Sequence, residues 1–109
     1  MKKVDIVVPC YNEQEVLQAF YNETARVLLT LPDYSFRFLF VDDGSRDNTI
    51  VIMKQLAKEH DNVKYLSFSR NFGKEAAMYA GLTYSDGDYV ILMDADLQHP
   101  PAMIPDMLA

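Results

Sequence analysis

Four short apolar runs alternate with segments of helical periodicity, and this alternation restricts the fold more than any other feature of the chain. The runs cover residues 4–8, 35–41, 63–68 and 89–93, and they are rich in β-branched and aromatic side chains. Short apolar runs bounded by turn residues are typical of buried parallel strands. Their alternation with helices predicts an α/β fold, a parallel sheet with helices on both faces and right-handed crossovers.

The boundaries of these elements follow from turn and capping residues. Pro9 is predicted to end the first strand. Asn12, with Glu15 three residues later, resembles a capping box and predicts the start of the first helix. The predicted helices span residues 12–31, 47–60 and 74–84, and a last helix begins at Pro101.

Polar residues gather directly after three of the four predicted strands. The clusters are Pro9–Glu13, Asp42–Ser45 and Asp94–Asp96. In open parallel sheets, ligands bind at the carboxyl ends of strands, where the strand order reverses. A strand order of 3-2-1-4 would make strands one and four neighbours, and the three clusters would then surround one crevice.

The acidic pattern Asp94-Ala95-Asp96, a DXD motif, ends the fourth strand. Side chains two residues apart on an extended backbone point the same way, so Asp94, Asp96 and Gln98 can present oxygens on one side. Three converging oxygens suit a hard divalent cation, Mg²⁺ or Mn²⁺. The alternative is a solvated loop in which the acids serve only as turn or capping residues.

A nucleotide would satisfy the three clusters together. Tyr11 either stacks on a base or ribose, or only packs within the fold. Asp42 or Asp43 can accept from base N–H groups or ribose hydroxyls; adjacent residues face opposite ways, so one reaches the crevice and the other caps the turn. A diphosphate would need a cation to screen the acids. Arg70 and Lys74 either reach a phosphate or remain surface charges.

Composition bounds the remaining possibilities. The 109 residues allow one domain at most, half of them are apolar, and the net charge of −6 argues against nucleic acid as the main partner. The single cysteine, Cys10, excludes an internal disulfide and fits a reducing compartment, so the chain as given is expected to be cytoplasmic. Its position after an apolar run favours a small buried hydrophobe over a reactive thiol.

Three motifs together resemble the inverting glycosyltransferase family 2, with its Rossmann-like nucleotide-diphospho-sugar transferase fold. They are residues 7–13 (VVPCYNE), 41–47 (VDDGSRD) and 93–96 (MDAD). Residues 69–77 (SRNFGKEAA) and 96–101 (DLQHPP) resemble a narrower branch of that family. This branch contains dolichyl-phosphate mannosyltransferases and bacterial undecaprenyl-phosphate sugar transferases of the bactoprenol glucosyltransferase type.

The resemblance implies a cell-envelope enzyme that transfers a hexose from a UDP- or GDP-sugar to a polyprenyl phosphate, with inversion and a divalent cation. Tyrosine and aspartate suit uridine and guanosine alike, so the base and the sugar stay open. The implied nucleotide-sugar-binding residues are Pro9, Tyr11, Glu13, Asp42, Asp43, Asp94, Ala95 and Asp96, and the implied metal ligands are Asp94, Asp96 and Gln98.

Catalytic domains of this family are longer than this chain. Residues 1–109 are therefore expected to form the nucleotide-sugar-binding half, truncated after the fourth strand and inactive alone. The acceptor half and any catalytic base would lie beyond Ala109, in a parent at the cytoplasmic face of the membrane. The unpaired apolar edge of the fourth strand is expected to cause self-association.

Two alternatives remain open from the sequence. One is a fragment that binds a nucleotide without catalysing transfer. The other is a phospho-acceptor receiver domain, which also has an α/β fold and an acid pair, another aspartate and a lysine at strand ends. Asp42-Asp43, Asp94 and Lys74 fit that pattern loosely, but the acid pair of a receiver should follow the first strand.

Overall fold

The computed structural model describes residues 2–96 and 100–108, which form one parallel sheet with flanking helices. The predicted α/β architecture is confirmed, and the strand order β3-β2-β1-β4 is the one that brings the three polar clusters together. The elements are β1 (Lys2–Cys10), α1 (Leu17–Leu28), β2 (Tyr34–Asp42), α2 (Thr49–Glu59), β3 (Val63–Ser67), α3 (Lys74–Tyr84), β4 (Tyr89–Leu92), a 3₁₀ turn (Pro101–Met103) and α4 (Ile104–Leu108).

Alternate residues of β1 and β2 supply two separate apolar faces. On one face, Phe20 of α1 packs edge-on against Phe40 of β2, with ring centroids 6.4 Å apart. On the other face, Gly81 lets α3 approach the sheet so closely that a Cβ there would lie 2.3 Å from Val7 Cγ1 and 3.4 Å from Val41 Cγ2. The predicted helices on both faces are therefore present.

Strand β1 continues through Pro9 to Cys10, so the prediction that Pro9 ends the strand is wrong. The backbone groups of β1 point alternately toward β2 and β4. Cys10 accepts from the N–H of Asp43 on the β2 side, and Val7 accepts from the N–H of Met93 on the β4 side. Pro9 faces the β4 side, beyond the last β1–β4 pair, Val7 with Leu92. Its missing N–H therefore breaks no ladder hydrogen bond.

The first helix begins later than the sequence predicted, at Leu17 instead of Asn12, and it ends at Leu28. Asn12 adopts a left-handed conformation with φ of +52°, which asparagine tolerates better than most residues. Its N–H donates to Ser45 Oγ, and its side-chain oxygen accepts from the N–H of Arg46, both at 2.9 Å. Asn12 thus ties the loop after β1 to the loop after β2 instead of capping α1.

A buried carboxylate fixes the connection into β4. Asp5 is only 2% exposed and pairs with Arg37 of β2, whose Nε and Nη2 donate to its two oxygens at 3.0 and 3.1 Å. The N–H groups of Asp86 and Gly87 also donate to Asp5 Oδ2, at 2.8 and 2.9 Å. One side chain of β1 therefore holds both β2 and the turn that leads into β4.

Strand β4 forms one edge of the described sheet. Its side chains Tyr89, Val90 and Leu92 are exposed, whereas Ile91 faces the core. An exposed apolar edge offers free backbone groups to another chain. Within residues 2–96 and 100–108, no helix combines the length and the apolar character needed to cross a bilayer.

We predict that the chain self-associates through β4, so light scattering should give a mass above that of the monomer. Replacing Val90 by Lys should restore the monomer, because a charged side chain disfavours strand pairing at an edge. Val51, which is exposed on α2, supplies the matched control: Val51→Lys should leave the association unchanged. A clean monomer of the wild-type chain at high concentration would contradict the prediction.

Candidate functional site

A cleft of about 180 Å³ lies at the carboxyl ends of β1 and β4, where the strand order reverses. The reversal leaves a gap between the loops that follow these two strands, as expected for an open α/β sheet. Six of the residues predicted from the sequence line it together: Pro9, Tyr11, Glu13, Asp43, Asp94 and Asp96. Cys10, Lys74 and Ala77 complete the lining.

Three further predicted residues lie elsewhere or are not described. Asp42 does not line the cleft; it accepts from the N–H of Ser45 at 3.0 Å and from Ser67 Oγ at 3.2 Å, and so caps the turn after β2. Ala95 is fully buried in the core. Gln98 lies outside the described residues. Of the acid pair after β2, the structure therefore places Asp43 at the cleft.

Asp43 also organises the loop that leads into α3. Its carboxylate accepts from the N–H of Phe72 at 2.8 Å, from the N–H of Gly73 at 3.1 Å and from Asn71 Nδ2 at 3.2 Å. Gly44 allows this loop to approach, because a Cβ there would lie 2.2 Å from the backbone carbon of Arg70. The residue that faces the cleft thus also fixes the residues immediately before α3.

Lys74, the first residue of α3, forms an ion pair across the cleft. Its Nζ lies 2.7 Å from Asp94 Oδ1, and the side chains of Lys74 and Asp94 are 61% and 20% exposed. The sequence left two roles open for Lys74, that of a phosphate ligand and that of a surface charge. The pairing with Asp94 could not be foreseen, because the two residues lie on different elements twenty positions apart.

Negative charge is concentrated in this cleft. Burial raises the pKa of the Glu13 carboxyl, and the nearby Asp96 and Asp94 raise it further, while Lys74 acts in the opposite sense. Burial also raises the pKa of the Cys10 thiol well above its ordinary value. Cys10 is buried, as predicted, and its raised pKa disfavours the thiolate form on which cysteine reactivity depends.

The carboxylates of Asp94 and Asp96 supply the hard oxygen donors that Mg²⁺ and Mn²⁺ prefer. Within the part of the chain that the structure describes, no group of three or more His, Cys, Asp or Glu residues is arranged to hold a metal ion. Mg²⁺ is commonly held by only one or two carboxylates together with substrate phosphates. The donor set of the cleft therefore fits a cation that arrives with a phosphorylated ligand.

Comparison with known proteins identifies the family. The family model described as glycosyl transferase family 2 matches residues 5–109. The chain belongs to this family of enzymes. Bactoprenol glucosyl transferase of Shigella phage SfV is 44% identical over 106 residues, which are 97% of this chain and 34% of that protein. Undecaprenyl-phosphate 4-deoxy-4-formamido-L-arabinose transferase of Proteus mirabilis strain HI4320 is 39% identical over 110 residues, 100% of this chain and 33% of that protein.

Solved structures show the same fold. S. aureus TarS 1–349 in complex with UDP has a TM-score of 0.73 and 26% identity, over 86% of this chain and 27% of that one. Mannosyltransferase PcManGT from Pyrobaculum calidifontis, in complex with GDP-Man and Mn²⁺, has a TM-score of 0.75 and 23% identity. The match covers 94% of this chain and 30% of that one. The chain spans about a third of the length of the curated relatives it matches. The family membership leaves the receiver-domain alternative without support.

We predict that Asp43→Ala destabilises the fold by about 1–3 kcal/mol, because two partly buried N–H groups lose a charged acceptor. Asp43→Asn keeps one acceptor oxygen and should cost less. Urea unfolding should show a lower midpoint with an unchanged slope. The exposed Asp61, changed to Ala, is the control and should unfold as the wild type does; an Asp43→Ala midpoint equal to it would contradict the prediction.

We predict that Glu13→Gln stabilises the unliganded chain at pH 7. A carboxyl whose pKa is raised by folding holds its proton better in the folded state, so ionisation penalises that state as the pH rises. The gain should grow through the range above the ordinary carboxyl pKa and disappear below about pH 4.

Thermal unfolding across this pH range measures the effect, with the exposed Glu15→Gln as the control. A lower melting temperature for Glu13→Gln at pH 7, or an increase in stability that persists in acid, would contradict the prediction. The raised pKa of Glu13 would then not be caused by burial and the neighbouring aspartates.

Proposed function

We propose that this chain forms the nucleotide-sugar-binding part of an inverting, metal-dependent glycosyltransferase. In the parent protein, a hexose would pass from a nucleoside diphosphate sugar to a polyprenyl phosphate. The observation that carries this proposal is the cleft at the carboxyl ends of β1 and β4. Its lining includes Tyr11, Asp43, Asp94 and Asp96. Transfer with inversion corresponds to a single displacement at the anomeric carbon.

The nucleoside would lie against the β1 side of the cleft. Tyr11 lines the cleft and is 42% exposed, so its ring is available to stack on a base or pack against a ribose. Pro9 gives this wall a rigid backbone, and Asp43 presents an acceptor for base N–H groups or ribose hydroxyls. The structures of TarS with UDP and of PcManGT with GDP-Man support a nucleotide in this fold.

The diphosphate would lie on the β4 side, where Asp94 and Asp96 would hold the divalent cation. We assign Gln98 as a further oxygen ligand on the sequence motif alone. When bound, such a cation neutralises the charge that develops on the leaving diphosphate. Without it, the carboxylates would repel the donor. The complex of PcManGT with GDP-Man and Mn²⁺ supports the use of a divalent cation in this fold.

The acceptor class follows from the names of the relatives, which act on bactoprenol and undecaprenyl phosphate. A phosphate oxygen of such a lipid carries negative charge before the reaction, so its attack on the anomeric carbon needs no general base. The bond from that carbon to the diphosphate breaks as the new bond forms. A polyprenyl phosphate is a membrane lipid, so we place the parent at the cytoplasmic face of a membrane.

Nucleotide binding without transfer is the second candidate. It concerns residues 1–109 taken by themselves, which span about a third of the length of the curated relatives. The two candidates share the cleft and differ only in turnover. Mass spectrometry of the lipid product after incubation with UDP- or GDP-sugars and a polyprenyl phosphate separates them.

We predict that UDP or GDP binds the chain only with Mn²⁺ or Mg²⁺, and that Asp96→Asn weakens this binding at least about tenfold, as loss of metal-site contacts does elsewhere. Isothermal titration calorimetry measures both effects. Asp61→Asn is the control, because it removes the same charge from an exposed turn. If neither nucleotide bound the wild-type chain in the presence of either cation, the proposed function would fail.

A further inference from the structure

We propose that Lys74 is an exchangeable counter-ion for the donor diphosphate. In the unliganded chain its ammonium neutralises Asp94. When a divalent cation takes that place, Lys74 turns to the phosphates of the incoming nucleoside diphosphate and positions them. The inference rests on the proposed function and adds a phosphate-positioning residue to it.

The first argument is the location of the ammonium group. Lys74 Nζ lies 2.7 Å from Asp94 Oδ1, a charge-assisted contact, inside the cleft that Glu13 and Asp96 also line. A cation bound at Asp94 would therefore meet the ammonium first. A divalent cation and the Lys74 ammonium at the same carboxylate oxygen would repel each other, so they cannot both occupy it.

The second argument is that the base of this side chain is fixed while its tip is free to move. The two residues before Lys74 donate their N–H groups to the buried Asp43, which holds the start of α3 at the cleft. The Lys74 side chain is nevertheless 61% exposed. A lysine carries its charge on four flexible carbons, so the ammonium can change partners without any movement of the helix.

The third argument is the balance of charge in the occupied cleft. A diphosphate that enters between Glu13, Asp94 and Asp96 meets three acidic side chains. One divalent cation offsets the two aspartates but leaves the diphosphate with unpaired negative charge. Lys74, released from Asp94, supplies a further positive charge in the same cleft, next to the positive end of α3. The exchange therefore gives Lys74 a negatively charged partner in both states, Asp94 before binding and the diphosphate after it.

A purely structural ion pair makes different predictions. In that case Lys74→Gln would lower stability, because Asp94 loses its partner. It would change the affinities for a nucleoside and for a nucleoside diphosphate by the same factor. The exchange instead predicts opposite effects on two ligands. Loss of Lys74 should favour the metal alone and disfavour the diphosphate.

The experiment uses calorimetry on the wild-type chain, Lys74→Gln, Lys74→Arg and Lys54→Gln. Lys54 is exposed on α2, so its variant controls for the loss of one charge. The ligands are Mn²⁺ alone, and then UDP, GDP, uridine and guanosine at saturating Mn²⁺. Circular dichroism confirms that each variant is folded.

Lys74→Gln should bind Mn²⁺ alone about two- to fivefold more tightly, the range expected when an exposed competing ion pair is removed. It should bind the nucleoside diphosphate about tenfold more weakly, because a charge-assisted contact is lost, with nucleoside binding unchanged. Lys74→Arg keeps the charge and should restore diphosphate binding to within about threefold of the wild type.

Failure of the inference is distinguishable from failure of the proposed function. If the wild-type chain binds neither nucleoside diphosphate, the proposed function fails and the role of Lys74 fails with it. If the wild type binds one and Lys74→Gln binds it equally, or loses nucleoside binding to the same extent, only the role of Lys74 is overturned. A Mn²⁺ affinity that does not rise in Lys74→Gln overturns the exchange at Asp94.

Discussion

The arrangement of the cleft depends on one buried carboxylate at the opposite end of the sheet. Asp5 sits on the central strand β1, accepts a two-point contact from Arg37 of β2, and receives the N–H groups of Asp86 and Gly87. Those two N–H groups belong to the turn from which β4 starts. The contact therefore sets the place of β4 beside β1, and hence the crevice between their far ends. Burying this charge is tolerable only because each oxygen has partners.

The cleft itself shows the opposite situation, in which the charges are not balanced within the fold. Glu13, Asp94 and Asp96 line the same cleft, and burial together with the two nearby aspartates raises the pKa of Glu13, which disfavours its charged form in the folded state. Lys74 relieves part of this repulsion through Asp94. A chain selected only for stability would not place three acids there. The repulsion has a use if the ligand brings a divalent cation with it.

Most of the fold could be predicted from the sequence, because strand identity depends on local apolar runs, and the alternation of strands with helices indicates a parallel sheet. The site clusters followed from their positions at strand ends. Details that depend on tertiary contacts could not be predicted. Pro9 remains in the strand because its backbone faces the side where β1 is no longer paired with β4. Asn12 adopts a left-handed conformation because it connects two loops. The partner of the buried Asp5, Arg37, lies on another strand and could not be identified from the sequence.

The pair Asp42-Asp43 shows how strand alternation divides one motif between two tasks. The sequence could state that only one of them reaches the cleft, and the structure assigns this to Asp43. Asp42 faces the other way and holds the turn through Ser45. Because Asp43 also anchors the amides before α3, a ligand that hydrogen-bonds to Asp43 acts on the same residue that positions Lys74. In the proposed function, the nucleoside and diphosphate ends of the cleft would thus be coupled through one carboxylate, and a change at Asp43 should disturb both.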